Sequence, residues 1–322
     1  MRFRTLFTGT AVFAIAAAAH VMAADSKADE VLAGSRKAIG GKKLDALKSL
    51  AVDASLQRNV NSTQLSSAIE ILLELPDKYV RSDTPTGGMM TASISTGFSG
   101  DTPIRPANAT FLPGGGMMIR MGPGGPPPAE KLSPEEQQRA DKQLLRSSRA
   151  DISRLMLGWF AMAHPSLGVQ YTYAGEAESP DGKAYVIDAK NTDGFSARLF
   201  IDQETKLPLM VTYEGPQPRT VTMGGPGRAG AAPQAGHAGE RREATDEERK
   251  KAREDADKQV QELQKQAPVM VGFSLYFEDW REVDGVRFPH KIRRATAGTT
   301  NEEWTVNKVK VNPKIDAGKF EG

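Results

Sequence analysis

The chain has 322 residues, and its 42 Lys and Arg against 40 Asp and Glu exclude the strongly basic surface that binds nucleic acid. It contains no cysteine, which excludes disulfides, thiol nucleophiles and thiolate metal sites, so a hydrophobic core must provide its stability. The 31 Gly and 20 Pro are concentrated in two stretches, which favours a single domain with two insertions over two separate domains.

The N-terminal segment 1–24 has the features of a secretory signal peptide. Arg2 and Arg4 precede an apolar run, and small residues close the segment at Ala24. The apolar run is too short to span a bilayer permanently. We therefore expect cleavage near Ala24 and a soluble periplasmic protein that covers 25–322, with an uncleaved N-terminal anchor as the alternative.

The next part of the chain predicts one helix followed by strands. Apolar residues over 26–39 follow a helical spacing that stops at a Gly-Gly pair, a common helix terminator. Residues 50–58 and 67–82 have the character of strands with one buried face. The Gly-, Pro- and Met-rich stretch 87–132 has no sustained period, and we interpret it as a partly mobile insertion.

A second, longer helix is predicted after this stretch. Ser133 and Glu136 form a capping box, with Pro134 at the first helical position, and the helix should end near His164, which precedes a proline. Its last turns, LMLGWFAMA, are apolar almost all round. This pattern indicates burial on more than one side or contact with a hydrophobic ligand.

The remaining sequence alternates strands and turns around a second insertion. Strand patterns from Val169 onward predict an antiparallel meander. The insertion 215–267 combines a Gly/Ala/Pro-rich part with a charged helix that ends near Lys265, and this helix is either solvated or a partner-binding element. Beyond it, apolar residues occupy every second position in VMVGFSLYFED, which predicts a strand. Asp284-Gly285 then predicts a hairpin turn before the last strands.

No catalytic or metal-binding pattern is evident in the sequence. The histidines have no metal-ligand spacing, and no serine or threonine lies in a nucleophile motif. The acidic pairs Glu278-Asp279 and Glu302-Glu303 are interpreted as solvated strand ends, because adjacent strand residues face opposite ways. We therefore expect no catalytic residue, no metal and no cofactor. A hydrolase site assembled from distant residues remains an alternative.

Several segments in order along the chain resemble the LolA/LolB-like superfamily, which comprises outer-membrane lipoprotein-sorting proteins and related periplasmic carriers. The resemblance implies a mainly β (α+β) fold: a strongly curved antiparallel sheet that forms an unclosed half barrel, with helices covering the concave face. It also implies an apolar cavity that holds acyl chains. The segments are KAIGGKKLDALKSL, LELPDKYVRSD, IDQETKLPLMVTYE, and FEDWREVDGVRFPHKI leading to VKVNPKIDAGKF.

Apolar residues of the strands and of the long helix are the candidate lining of this cavity, although a closed core would use the same residue types. The function expected from these features is binding and carriage of a lipid or lipidated ligand, with acyl chains and an envelope protein as partners. The alternative is a periplasmic sensor or protein-interaction module on the same fold. The candidate lining residues are Ile71, Met156, Trp159, Phe160, Leu199, Ile201, Leu209, Phe273, Leu275 and Phe277.

Overall fold

The computed structural model describes eight ranges of the chain: 21–60, 63–86, 93–105, 109–112, 116–119, 133–180, 182–217 and 267–321. Most of the predicted signal segment and the predicted charged helix lie outside these ranges. None of the helices within them is long and apolar enough to cross a membrane.

Three α-helices and fourteen β-strands are found in the described residues. The helices are α1 (Val21–Ile39), α2 (Lys42–Asp45) and α3 (Pro134–Phe160). The strands are β1 (Ser49–Val60), β2 (Thr63–Glu74), β3 (Lys78–Pro85), β4 (Ile94–Ser99), β5 (Thr102–Ile104), β6 (Ala109–Leu112), β7 (Gly116–Ile119), β8 (Gln170–Ser179), β9 (Gly182–Lys190), β10 (Ser196–Asp202), β11 (Pro208–Pro216), β12 (Met270–Val283), β13 (Val286–Thr296) and β14 (Thr299–Val311).

Twelve strands form one antiparallel sheet in the order β5-β4-β3-β2-β1-β14-β13-β12-β11-β10-β9-β8. The sheet is not closed, because β5 and β8 are its two edges. The predicted fold class, mainly β with an unclosed antiparallel sheet and a few helices, is confirmed. Non-consecutive strands β1 and β14 pair at the middle of the sheet from Leu50 opposite Val311 to Arg58 opposite Glu302, which joins the two halves of the chain.

The chain divides into two compact units. The first consists of Met1–Ala107, Glu130–Gly215 and Val271–Gly322, and its described residues hold the three helices and nearly all of the twelve-stranded sheet. The second consists of Asn108–Ala129 and Pro216–Met270, and its described residues include the hairpin of β6 and β7.

Part of the predicted insertion 87–132 belongs to the main sheet. Strand β4 pairs with β3 and β5 pairs with β4. One glycine of this segment has a structural reason, since a Cβ at Gly97 would collide with the backbone of Tyr79 in the neighbouring strand. Close approach of two strands at this point therefore requires glycine.

Helix α3 begins where the sequence predicts. The Ser133 side chain accepts a hydrogen bond from the Glu136 backbone N–H at 3.3 Å, and the Ser133 N–H donates to the Glu136 carboxylate at 2.9 Å. The helix ends at Phe160, earlier than the predicted end near His164, because Ala161 adopts a left-handed conformation with φ 52° and ψ 37°. His164 instead caps a short 3₁₀ turn.

The inner face of the sheet is the face that packs against α1 and α3, and it carries the main core. Strand β2 shows the predicted alternation, with Ile69, Ile71 and Leu73 buried on the inner face. Leu72 points to the outer face, where it packs in a small cluster that includes Phe320. The predicted Asp284-Gly285 hairpin turn is present between β12 and β13, and both of its residues have positive φ.

Candidate functional site

Nine of the ten candidate lining residues lie in the single large core on the inner face, each at most 6% exposed. They come from α3 and from strands β2, β10 and β12, which the topology brings together although they are distant in sequence. That these residues line a ligand cavity stays a prediction. The nine are Ile71, Met156, Trp159, Phe160, Leu199, Ile201, Phe273, Leu275 and Phe277.

Leu209 is separated from the other candidates, with 42% of its surface exposed. The register between β10 and β11 shifts here: Phe200 lies opposite Met210, whereas Ile201 lies opposite Pro208. Leu209 is therefore the extra residue of a β-bulge, and a bulge changes the direction in which side chains point. Simple alternation along the strand could not show this.

The last turns of α3 pack directly on the sheet. A Cβ at Gly158 would collide with the ring of Phe277, so glycine allows the helix backbone to rest on this ring. Phe288 contacts both helix aromatics, with ring centroids 5.0 Å from Trp159 and 6.0 Å from Phe160. Side chains thus fill the space between this half of α3 and strands β12 and β13.

A network of charged and aromatic residues occupies another part of the inner face. Glu302 on β14 is only 5% exposed and lies between Arg58 on β1 and Arg294 on β13, its two cross-strand neighbours. Its carboxylate is 3.1 Å from Arg58 Nη2 and 3.6 Å from Arg294 Nη1, and it accepts a hydrogen bond from Trp304 Nε1 at 3.3 Å. The guanidinium of Arg81 lies 4.7 Å from the centre of the Trp304 ring.

The arginines keep Glu302 ionised despite its burial. Burial alone would raise the pKa of this carboxyl group, but the positive charges of Arg58, Arg294 and Arg81 lower the pKa to about 2. Arg81 is also bonded through two nitrogens to Asp83, at 2.8 and 2.9 Å. The network therefore surrounds the buried charge of Glu302 with arginines that are themselves partly exposed.

The sequence interpretation of Glu302 as a solvated strand end is wrong. Its neighbour Glu303 does face outward, with 43% of its side chain exposed. A signal was present in β1, where Leu50, Val52 and Leu56 alternate on the buried face and the same period places Arg58 there. Which acidic residue lies opposite Arg58 depends on the register between β1 and β14. The sequence of one strand does not determine this register.

A pocket of about 510 Å³ lies where strands β10 and β11 separate. The ladder between them ends at Arg198 opposite Thr212, although β10 begins at Ser196 and β11 continues to Pro216. We name it the β10–β11 pocket. It is lined by Arg154, Asp188, Lys190, Gly194, Ser196, Ala197, Arg198, Thr212, Tyr213, Glu214, Gly272, Phe273, Ser274, Ala297 and Gly298.

The β10–β11 pocket reaches the main core. Tyr213 and Phe273 belong to the core and also line the pocket, and their rings are stacked with centroids 5.0 Å apart at an angle of 13°. The guanidinium of Arg154 on α3 lies 3.9 Å from the centre of the Tyr213 ring. A Cβ at Gly272 would meet no atom within 4 Å, which shows open space beside this strand.

Structural comparison finds similar solved structures in the superfamily that the sequence resembles. A LolA superfamily protein from Nitrosomonas europaea aligns with a TM-score of 0.46 at 10% identity, over 92% of this chain and 97% of its own. A putative outer membrane lipoprotein-sorting protein domain from Vibrio parahaemolyticus aligns with a TM-score of 0.42 at 8% identity, over 92% and 97%.

A DUF1329 family protein from Desulfovibrio piger aligns with a TM-score of 0.39 at 10% identity, over 91% of this chain and 97% of its own. The first two structures carry names from the superfamily that several segments of the sequence resemble. No family model matches the chain. No curated protein matches it either.

Proposed function

We propose that this protein is a periplasmic binding protein that carries a lipid or a lipidated ligand. The observation that supports this most strongly is the β10–β11 pocket, because it gives access to the aromatic end of the main core at Tyr213 and Phe273. Ligand sites of binding proteins are typically concave, with apolar walls and a few polar groups. The signal-peptide features of segment 1–24 support the periplasmic location.

An amphiphilic ligand would use both parts of the pocket. Its inner wall is the stacked pair Tyr213 and Phe273, and burial of an alkyl chain against such rings gains about 25 cal/mol per Å² of apolar surface removed from water. Its outer part is lined by charged side chains such as Lys190 and Arg198. A ligand with an apolar chain and a polar end satisfies both parts.

A protein-interaction module on the same fold is a second candidate, and the packing of α3 favours it. The helix backbone at Gly158 rests directly on the Phe277 ring, so an acyl chain has no room between these two residues. If the remaining core is equally closed to ligands, the surface of the sheet and helices would serve to bind a partner protein instead.

The experiment that tests the carrier function is titration of the purified protein with a fluorescent fatty acid. We expect saturable binding that is weakened in Gly272→Trp, because Gly272 lines the pocket and a Cβ there meets no atom within 4 Å. The matched control is Leu209→Trp, which places the same side chain at an exposed position outside the pocket.

Equal binding by the wild type, Gly272→Trp and Leu209→Trp would contradict the assignment of the ligand to this pocket. Absence of saturable binding to the wild type would contradict the carrier function and leave the interaction module. Urea unfolding of each variant shows whether a loss of binding reflects a filled pocket or a lost fold.

A further inference from the structure

The charges around the β10–β11 pocket indicate which end group its ligand carries. We propose that the pocket binds the anionic end of an amphiphile, a carboxylate or a phosphate, and this inference rests on the proposed carrier function. Three cations line the pocket, Arg154, Lys190 and Arg198, against the two acids Asp188 and Glu214. Arg154 is matched by Asp151, which lies outside the lining, but Lys190 and Arg198 share a single acid, and this leaves positive charge available to a ligand.

Asp188 is shared by two of the cations. Arg198 donates to it through two nitrogens, at 2.7 and 3.3 Å, and Lys190 Nζ donates to it at 3.2 Å. Burial would raise the pKa of Asp188, but these hydrogen bonds lower it, so the carboxylate stays ionised. One negative charge thus faces two positive charges, and this group of three keeps a net charge of +1.

Arg154 adds a guanidinium at the aromatic wall of the pocket. Its Nη1 donates to Asp151 at 2.9 Å, while its plane rests near the Tyr213 ring. Its Nε is buried and has no hydrogen-bond partner in the described part of the chain. The planar group lies at the aromatic wall and belongs to the lining that the proposed anionic end group would contact.

Glu214 opposes an anionic ligand. Its side chain is exposed, and it lines the pocket on β11 beside Tyr213. A like charge near a binding site lowers affinity, and its removal raises affinity. The proposal therefore predicts opposite effects for two neutralising substitutions in one pocket.

The test is a set of calorimetric titrations with dodecyl phosphate, dodecanoate and 1-dodecanol at low ionic strength. These probes share an alkyl chain and differ at its end. We expect both anionic probes to bind more tightly than the alcohol. In Lys190→Gln their affinity should fall about two- to fivefold, the range typical of exposed charge pairs, and the affinity of 1-dodecanol should not change.

Two further variants complete the design. Glu214→Gln should raise the affinity for the anionic probes by a similar factor. Lys183→Gln is the matched control, because Lys183 also lies on β9, is exposed to a similar extent as Lys190 (59% against 62%), and does not line the pocket. Its affinities should equal those of the wild type.

The outcomes separate this inference from the carrier function. All three dodecyl probes could bind equally, with no change of affinity in Lys190→Gln or Glu214→Gln. That result would contradict the proposed preference for an anionic end group, but the carrier function would stand. If inorganic phosphate binds in a Lys190-dependent manner and no dodecyl probe binds, the assignment to an amphiphile is overturned together with the carrier function. Competition between inorganic phosphate and dodecyl phosphate supports the anion site.

Discussion

Two regions of the inner face differ in what holds them together. Under the last turns of α3, the contact of Gly158 with Phe277 and the aromatic group around Phe288 depend on the fit of apolar shapes. Around Glu302, the contacts depend on charges, with Arg58 and Arg294 on either side. The packing of the apolar region is determined by the volumes of its side chains. The contacts of the charged region are determined by which strands are neighbours in the sheet.

The difference has a functional consequence. A close-packed region of this kind cannot accommodate a larger side chain without strain. It is therefore suited to be a rigid part of the fold. The charged and aromatic residues extend across the sheet through Tyr213, whose hydroxyl accepts a hydrogen bond from Arg294 at 2.6 Å, to the β10–β11 pocket. We therefore associate the proposed binding with the Tyr213 end of this network and stability with the apolar region.

The largest effect is expected where added volume cannot be accommodated. Gly158→Ala should lower the free energy of unfolding by about 3 kcal/mol, because the new methyl group would displace the Phe277 ring from a filled core. Urea unfolding measures this, and combination with Phe277→Leu should recover part of the loss.

Gly34→Ala is the matched control for this substitution. Gly34 also lies within a helix, α1, but a Cβ there meets no atom within 4 Å. Alanine should raise stability at this site by about 0.5–1 kcal/mol through its higher helix propensity. Equal effects of the two substitutions would contradict a close-packed contact between α3 and β12.

A smaller effect is expected in the charged region. Glu302→Gln should lower the free energy of unfolding at pH 7 by about 2 kcal/mol, because it removes the buried counter-charge of the exposed Arg58 and the partly buried Arg294. Glu303→Gln, at the adjacent exposed position, should change it by less than about 0.5 kcal/mol.

The pH dependence of the free energy of unfolding tests independently whether Glu302 is buried in its ionised form. The pKa of Glu302 is lowered from 4.5 to about 2 in the folded protein, so its ionised form contributes stability that is complete above pH 4.5. This contribution is lost as the pH falls from 4.5 toward 2. The wild type should therefore lose more stability across this interval than Glu302→Gln does, and parallel profiles would contradict the burial of an ionised Glu302.

The sequence predicts the apolar region better than it predicts the charged region. The capping box at Ser133, the apolar end of α3 and the alternation in β2 are local patterns, and all appear in the structure. The charged network joins residues of β1, β3, β13 and β14, so it exists only once the strand order and register are set.

Most of the pocket was equally inaccessible to sequence reasoning, although Phe273 is one of the candidate lining residues. It results from the point at which the β10–β11 ladder ends, and the bulge at Leu209 lies in the same pair of strands. Hydrogen-bond ladders and bulges depend on the partner strand, and no residue type marks either position. The lining of the pocket combines polar residues of four strands with two core aromatics, a mixture without periodicity in the sequence.

The central claim is that a lipid ligand occupies the β10–β11 pocket, and protection of a single cysteine tests it most directly. The chain has no cysteine of its own, so Gly272→Cys and Leu209→Cys each introduce one thiol, in the pocket and outside it. We predict that saturating dodecanoate slows the reaction of a maleimide with Gly272→Cys several-fold and leaves Leu209→Cys unchanged. Equal reaction rates with and without bound dodecanoate in Gly272→Cys would contradict the claim.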